Sequence, residues 1–187
     1  IPFEKFDGSA FEKYTGRLEF RDVTFNYPAK ETPVLEKLSL SLTPGEVLCV
    51  TGANGSGKTT LAKLITGLFE PNEGYVSVDG VNLKQLSLEW WRKQIIYLPQ
   101  EPKFLEGSIR ENFLAVDVAV SDDRIREVLT DAGLDREIDK SVGGLDQVIN
   151  TTGSSLSLGV RRRLALARAL IIQGKIAILD EPTEGID

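Results

Sequence analysis

The sequence predicts an α/β fold: a mixed sheet with an antiparallel β subdomain and an inserted helical subdomain. Two short apolar runs, at residues 46–51 and 175–180, have the composition of strands buried on both faces. Segments 17–26 and 37–42 instead alternate polar and apolar residues, which is typical of half-buried antiparallel strands. Between about 101 and 170 helical patterns dominate. Helical material is therefore inserted between two strands of an α/β core.

The N-terminal half carries the signals of antiparallel strands joined by turns. The first alternation slips phase at Arg21-Asp22, which predicts a bulge or bend within an edge strand that Pro28 ends. Pro44-Gly45 then turns the second strand toward the apolar run at 46–51. Tyr75–Val78 is a further short strand, and the Asp79-Gly80 pair after it is a strong hairpin signal.

The C-terminal half carries strand signals on either side of a helical region. Ile95–Leu98 is a short apolar run that Pro99 stops. Ser121 is a favourable first cap for a helix that Gly133 ends, with Ile125, Val128, Leu129 and Ala132 on its apolar face. The last apolar run, Lys175–Asp180, returns the chain to a buried strand. We find no internal repeat and no low-complexity tract.

Residues 52–59, Gly-Ala-Asn-Gly-Ser-Gly-Lys-Thr, match the phosphate-loop pattern G-x-x-x-x-G-K-[ST] at every fixed position. An apolar strand run precedes the motif, and a helical face of Leu61, Leu64, Ile65 and Leu68 follows it. Glycines allow the backbone to curl its N–H groups around an anion, and the helix start adds further donors. A chance match on a glycine-rich turn is the alternative, and the strand–turn–helix context argues against it.

The motif assigns a role to each polar residue of the loop. Lys58 would reach the β- and γ-phosphates of a nucleoside triphosphate, and the Thr59 hydroxyl would hold Mg²⁺. The residues predicted to bind the nucleotide in this stretch are Asn54, Gly55, Ser56, Gly57, Lys58, Thr59 and Thr60.

The second half of the nucleotide site is predicted where the last apolar strand ends. Asp180 and Glu181 follow that strand, and ligands of open α/β sheets gather outside such strand ends. Asp180 would hold Mg²⁺, either as a direct ligand or through another ligand of the metal. Glu181 would polarise the attacking water as general base. The alternative is an ordinary acidic turn before Pro182. No histidine competes for the role of base.

Composition limits the class of protein. Lys plus Arg number 22 and Asp plus Glu 28 in 187 residues, a net charge of −6 that argues against a nucleic-acid groove as the main partner surface. The basic run Arg161–Arg163 is as well explained by a solvated helix face. The single cysteine, Cys49, lies in a predicted buried strand, so no disulfide framework exists and a reducing compartment fits. No apolar stretch has the length of a membrane span.

These motifs, in this order, resemble the nucleotide-binding domain of an exporter-type ATP-binding cassette (ABC) transporter, which has a P-loop NTPase core. The resemblance covers residues 17–187 and implies that residues 1–16 are a linker from an upstream membrane domain. It also implies that Tyr27 stacks on the adenine ring; packing of a strand-end tyrosine on its neighbours is the alternative. Gln100, in Leu-Pro-Gln, would contact Mg²⁺ and the attacking water and would hinge the helical subdomain to the core.

Two further segments extend the resemblance. Phe104–Asn112 resembles the exporter segment that meets the coupling helices of the membrane domain. Residues 180–187 match the acidic motif and the following D-loop, which ends here at Asp187. In the family a switch histidine lies downstream of the D-loop. The resemblance therefore implies an excerpt, truncated at its C-terminal end, and the start at Ile1 rather than Met agrees with this.

The signature motif of the family, L-S-G-G-Q, is altered here to Leu156-Ser-Leu-Gly-Val160, and Asn150 stands where a glycine is usual. In the family this loop contacts the γ-phosphate of ATP held by the other subunit, which would involve Ser157, Leu158 and Gly159. Leu158 adds a branched side chain at a position where a glycine-only conformation is expected. The hypothesis is one weakened ATP site, in a heterodimer with one strong and one degenerate site or in a slower homodimer.

The resemblance implies a motor domain that binds and hydrolyses Mg-ATP, and that couples ATP-driven dimerisation of two cassettes to export across a membrane. Its partners would be a second cassette and a transmembrane domain, with no nucleic acid, at the cytoplasmic face of the membrane. A non-transport ABC ATPase is one alternative, which segment 104–112 and the acidic balance disfavour. A nucleotide-gated dimerisation module with little turnover is another, which Glu181 disfavours and the altered signature mildly favours.

Overall fold

The structure is a computed structural model that describes residues 13–28, 32–141 and 143–181. The chain divides into two compact units, Ile1–Ile95 and Ile96–Asp187. In the part of the chain that the structure describes, no helix is long and apolar enough to cross a membrane. Most of the predicted linker at 1–16 lies outside the described residues.

An antiparallel sheet with the strand order β2-β1-β3-β4 forms the body of the first unit. Its strands are β1 Leu18–Phe25, β2 Leu35–Leu42, β3 Glu73–Val78 and β4 Val81–Asn82. Leu18 of β1 lies opposite Leu42 on one side and opposite Val78 on the other. Strand β1 is therefore internal, and the prediction of an edge strand is wrong, because alternation reports a half-buried face and not the number of neighbouring strands.

The predicted bulge in β1 is confirmed. The pairing with β2 shifts register between Phe20 and Val23, and Asp22 there has a φ of +48°. The two exposed residues Arg21 and Asp22 stand between the inward-facing Phe20 and Val23. The extra residue restores the alternation, so that apolar side chains on both sides of the bulge face the same core.

The hairpin predicted at Asp79-Gly80 is also confirmed. Val78 pairs with Val81, and φ is +48° at Asp79 and +80° at Gly80, as a two-residue hairpin of the primed type requires. The Asp79 carboxylate accepts hydrogen bonds from Thr15 N at 2.5 Å and from Arg17 N at 3.0 Å. Burial alone would raise the pKa of Asp79, but hydrogen bonds from Thr15, Arg17 and Gly16 together lower it. The carboxylate thus fastens the segment before β1 to the hairpin.

The strand predicted at 46–51 is not formed. The described segment has no strand hydrogen bonding, and its side chains are exposed, from 94% for Val47 to 45% for Val50. Cys49 is likewise exposed, so its predicted burial is wrong. An apolar run becomes a buried strand only when neighbouring strands pair with it, and the described residues supply no such pairing.

Two helices, α1 Lys58–Ile65 and α2 Leu88–Arg92, complete the first unit. Leu61, Leu64 and Ile65 of α1 are buried as predicted, but Leu68 lies beyond the helix end and is exposed. The two helices are joined by Trp91, a fully buried residue whose Nε1 donates to the carbonyl of Ile65 at 2.7 Å.

The second unit is mainly helical, with four short strands associated with it. Its helices are α3 Ile109–Leu114, α4 Asp122–Asp131, α5 Asp135–Lys140 and α6 Leu158–Ala169, and the strands are β5 Ile95–Leu98, β6 Gly107–Ser108, β7 Val148–Ile149 and β8 Ile176–Leu179. Strand β5 pairs with β8, and β6 pairs antiparallel with β7. Strand β8 forms where predicted, but Ile176 is its only buried residue, so its predicted burial is wrong.

The core of this unit joins α3, α4, α5 and α6 around fully buried residues that include Ile109, Ile125 and Leu164. Helix α4 begins after Ser121 as predicted, with the Ser121 hydroxyl accepting from Arg124 N at 3.2 Å. The basic run 161–163 on α6 is not a solvated face. Arg162 is 6% exposed. Arg161 donates to the Thr152 carbonyl at 3.2 Å and Arg163 to the Gly133 carbonyl at 2.6 Å, so these two guanidinium groups tie α6 to neighbouring segments.

Candidate functional site

The phosphate-loop segment is shaped by its glycines. Helix α1 begins after Gly57, which has a φ of +98°, and no side chain caps the first turn with a hydrogen bond. A Cβ atom at Gly57 would lie 3.0 Å from Leu35 Cδ2 and 3.1 Å from Val34 Cγ1. Gly57 is thus required twice over, by its left-handed backbone and by the side chains of Val34 and Leu35 packed against it. As a glycine, it offers no side chain to cap the first turn of α1.

Lys58 folds over this loop from the first position of α1. Its Nζ donates to the carbonyls of Gly52 at 2.9 Å and of Ala53 at 3.1 Å. Residues 51–56 are exposed, and a Cβ at Gly55 would meet nothing within 4 Å. Open space, an ammonium group and an uncapped helix start lie together, and this donor set fits a triphosphate.

Tyr27 packs against its neighbours at the end of β1. Its ring meets Phe25 at 5.2 Å and Phe69 at 5.6 Å between centroids, both nearly perpendicular. Its hydroxyl lies 3.0 Å from Thr60 Oγ1 in the first turn of α1. The packing alternative for Tyr27 therefore describes the structure as it stands, and stacking on adenine stays a prediction.

Sequence reasoning missed the residues that hold this corner. Phe69 stacks on Phe25 at 5.2 Å with an interplanar angle of 13°. Asn72 Oδ1 accepts from Asn26 N at 2.7 Å, and Asn72 N donates to Thr24 O at 2.9 Å. Residues 70–74 have a composition typical of a turn, but the sequence does not show which strand that turn contacts.

The acidic pair lies in the second unit, at the end of β8. Asp180 is 9% exposed, and its backbone N donates to the Leu98 carbonyl of β5 at 2.9 Å. Gln100 Nε2 donates to Glu181 Oε2 at 2.6 Å, although 81 positions separate these residues. Glu181 has a φ of +51°, which is uncommon for a residue with a side chain. The structure thus joins two of the three predicted catalytic residues.

Tyr97 adds to the electrostatics of this edge. Burial and the charge of Asp180 both raise the pKa of Tyr97, so it stays neutral and can donate a hydrogen bond.

Within the described ranges no group of three or more histidine, cysteine or acidic side chains could hold a metal ion. Thr59 in the first unit, and separately Gln100 and Asp180 in the second, each carry an oxygen donor of the kind that Mg²⁺ takes beside phosphate oxygens. The predicted D-loop residue Asp187 lies outside the described residues.

The altered signature forms the start of α6. Ser157 caps the helix, with its hydroxyl accepting from Val160 N at 3.3 Å. Leu158 and Gly159 are the first two residues of the helix, so the predicted glycine-only conformation at Leu158 is wrong. The side chain is the actual difference, because Leu158 is 44% exposed at this helix start. Val160 packs partly against the helical core, which accounts for an apolar residue there.

Asn150 closes the turn before the signature. Its side chain accepts from Ser154 N at 2.9 Å and donates to Ser154 Oγ at 2.7 Å. Gly153 in the same turn has a φ of +62°, and a Cβ there would lie 3.0 Å from Phe104 Cε2. The asparagine therefore organises a tight turn whose glycine lies against the neighbouring segment.

Segment 104–112, predicted to meet a membrane domain, is tied to α6. Asn112 is 1% exposed, accepts from Leu105 N at 2.8 Å and donates to Leu105 O at 3.0 Å. Arg168 of α6 lies over the Phe104 ring at 5.0 Å and donates to Lys103 O at 2.7 Å. Burial lowers the pKa of Arg168. Leu105 itself is 53% exposed. Sequence reasoning missed Arg168, because its partners lie on a distant segment.

Comparisons with known proteins agree with this arrangement. The sequence model of the ABC transporter family matches residues 35–184. Antigen peptide transporter 2 of Rattus norvegicus is 37% identical over 92% of this chain and 25% of its own length. The ATP-dependent lipid A-core flippase of Thiobacillus denitrificans is 38% identical over 92% of this chain and 30% of its own length. The chain thus spans about a quarter to a third of these two relatives.

Structural comparison supports the fold independently. A solved structure described as a bacterial Atm1-family ABC exporter with ATP bound superposes with a TM-score of 0.87 and 24% sequence identity. The match covers 97% of this chain and 32% of that one. This structural likeness establishes the P-loop NTPase fold. The family model and the two relatives establish membership of the family. The chain belongs to the ABC transporter family, as an ATP-binding domain of the exporter type.

Proposed function

We propose that this chain binds Mg-ATP on the loop 52–59, hydrolyses it, and drives export as part of a longer transporter. One observation carries the proposal: Gly57 offers no side chain to cap the start of α1, and Lys58 lies over the glycine-rich loop before it. An uncapped helix start with an adjacent ammonium group is built for an anion rather than for its own stability.

The metal would complete the charge neutralisation of the triphosphate. Thr59, Gln100 and Asp180 each carry an oxygen of the kind that Mg²⁺ takes, and the metal when bound would offset charge that develops on the phosphate oxygens. Asp180 is buried and anchored by its backbone to β5, so its carboxylate is held by a rigid strand end.

Glu181 is the proposed general base, and Gln100 is its partner. The 2.6 Å hydrogen bond from Gln100 Nε2 fixes one carboxylate oxygen of Glu181 and leaves the other free to accept a proton from water. A base orients its water only when its own rotamer is held, and the amide of Gln100 can hold it. These contacts support a hydrolytic role over a purely dimerising one.

Two further elements support transport. The exposed start of α6, with Ser157, Leu158 and Gly159, is proposed to face the ATP of a second cassette. Segment 104–112 is proposed to meet the transmembrane domain. Its exposed Leu105 is held in place by the hydrogen bond from Leu105 N to Asn112. The chain is therefore proposed to lie at the cytoplasmic face of a membrane. The description of the similar solved structure as an exporter supports the proposed direction of transport.

ATP binding is tested with Lys58→Ala in the full-length transporter that contains this chain. We expect calorimetry to detect no binding, because the loop loses its only lysine. Lys93→Ala is the matched control, since Lys93 forms an exposed i,i+4 pair with Glu89 and should bind ATP normally. Undiminished affinity in Lys58→Ala would refute the assignment of the loop.

Hydrolysis is tested with Glu181→Gln in the same protein. The amide cannot accept a proton, so steady-state phosphate release should fall by about 10²- to 10⁴-fold while ATP binding persists. Glu101→Gln, an exposed carboxylate near Gln100 in sequence, is the control. Normal turnover in Glu181→Gln would show that Glu181 is not the base.

A further inference from the structure

The first turn of α1 contacts the end of β1 through a pair of hydroxyls. Tyr27 Oη and Thr60 Oγ1 lie 3.0 Å apart, and either can donate the hydrogen bond. Thr60 is 4% exposed, so the bond is shielded from water on its helix side. The two residues belong to different elements, 33 positions apart in sequence.

The ring of Tyr27 is restrained from other directions as well. Phe25 and Phe69 meet it edge to face, at 5.2 and 5.6 Å between centroids. The backbone just before it is held by the hydrogen bond from Asn26 N to Asn72 Oδ1. With its hydroxyl tethered and its ring packed, Tyr27 has little rotational freedom left.

We propose that Thr60 is a positioning residue, which acts through the Tyr27 hydroxyl to hold the base-contacting ring at a fixed place relative to the phosphate loop. The inference rests on the proposed ATP binding and extends it. Thr60 lies two residues after Lys58, so the tether runs from the phosphate-binding helix start directly to the aromatic ring.

Such a tether affects nucleotides and base-free polyphosphates differently. A ring already held in place does not lose rotamer freedom when a base binds, which favours binding of the base by about three- to tenfold. Inorganic tripolyphosphate has no base and gains nothing from an ordered ring. Thr60 therefore contributes to selection for a nucleoside triphosphate over a bare triphosphate.

A double-mutant cycle tests the tether in the full-length transporter. Tyr27→Phe keeps the ring and removes one hydroxyl, and Thr60→Val keeps the volume and removes the other. Each should weaken ATP binding by about three- to tenfold, and the double variant should be no weaker than either single one. Inorganic tripolyphosphate has no base, so its binding should be the same in Tyr27→Phe as in the unaltered protein. Thr60→Ser, which keeps a hydroxyl, should restore most of the ATP affinity.

Three results would overturn the inference. Unchanged ATP affinity in Tyr27→Phe would show that the hydroxyl has no role. Additive losses in the double variant would show that the two hydroxyls act separately. Loss of tripolyphosphate affinity in Tyr27→Phe would show that the tether supports the loop structurally and does not act through the base. Failure of the proposed function is distinguishable, because Lys58→Ala would then leave ATP binding intact.

Discussion

Two helices of this chain begin at segments predicted to meet phosphate, and they begin in opposite ways. Helix α1 follows Gly57, in a left-handed conformation and with no side-chain cap. Helix α6 follows Ser157, in an extended conformation, with its hydroxyl accepting from Val160 N. The residue before α1 supplies no capping side chain, whereas the residue before α6 satisfies one backbone donor of its helix from within the chain.

The difference indicates which start binds a phosphate unaided. The uncapped α1 gains Lys58 as an additional cation, so it can bind an anion by itself. The capped α6 retains the O–H of Ser157 and the N–H groups of Leu158 and Gly159 as donors. Its contribution is smaller, and it carries an exposed leucine where a ligand would approach. We therefore expect substitutions at α1 to affect ATP binding more than substitutions at α6.

Among the substitutions at Gly57, Leu158 and Ser157 that test this comparison, the largest effect is expected from Gly57→Ala. The left-handed backbone costs an alanine about 1–2 kcal/mol, and the new Cβ would press against Leu35 and Val34 at 3.0 and 3.1 Å. The loop should shift, and calorimetry on the full-length transporter should show ATP affinity reduced by more than tenfold.

Gly80→Ala is the matched control for that substitution. Gly80 has a similar φ of +80°, but a Cβ there meets nothing within 4 Å, and it lies in a hairpin. Because the backbone cost is comparable, Gly80→Ala should lower the thermal midpoint of unfolding about as much as Gly57→Ala does. It should leave ATP affinity unchanged. Equal loss of ATP affinity in both variants would show that the effect of Gly57→Ala is general destabilisation and not a property of the α1 start.

Features encoded by adjacent residues could be predicted from the sequence. The phosphate loop, the bulge at Asp22, the hairpin at Asp79-Gly80 and the cap at Ser121 each depend on residues within a few positions. Local backbone chemistry determines such features, so a short window of sequence is sufficient.

Features that depend on distant partners could not be predicted. The run at 46–51 was apolar enough for a buried strand, but its burial needs neighbouring strands that the described residues do not provide. The Arg168–Asn112 link and the Phe69 stack join segments far apart in sequence. The Leu158 backbone was mispredicted for a different reason: the Ser157 cap is local, but a glycine that is usual in the family does not by itself indicate a glycine-only conformation.

Leu158→Gly is expected to have an intermediate effect. Removing the exposed side chain clears the approach to the α6 start, so the ATPase rate of the full-length transporter or its ATP-dependent dimerisation should rise several-fold, as the weakened-site hypothesis requires. Adding Val160→Gln should raise the rate or the dimerisation further. That gain is reduced by any packing that Val160 contributes to the helical core. Val118→Gly, which removes another exposed apolar side chain, is the control. No change in rate or dimerisation in the double variant would refute a weakened site.

The smallest effect is expected from Ser157→Ala, and it tests whether the α6 cap serves stability, phosphate contact or both. Loss of a serine cap costs about 1 kcal/mol, so denaturant unfolding should show that decrease. Ser121→Ala at α4 removes a cap of the same geometry and should cost the same stability, because its hydroxyl likewise accepts from the third helical residue. Only Ser157→Ala should also slow ATP turnover, since only its O–H faces a proposed phosphate. If both variants lose stability and neither loses activity, α6 is a structural helix start, and the contrast with α1 is one of function as well as of capping.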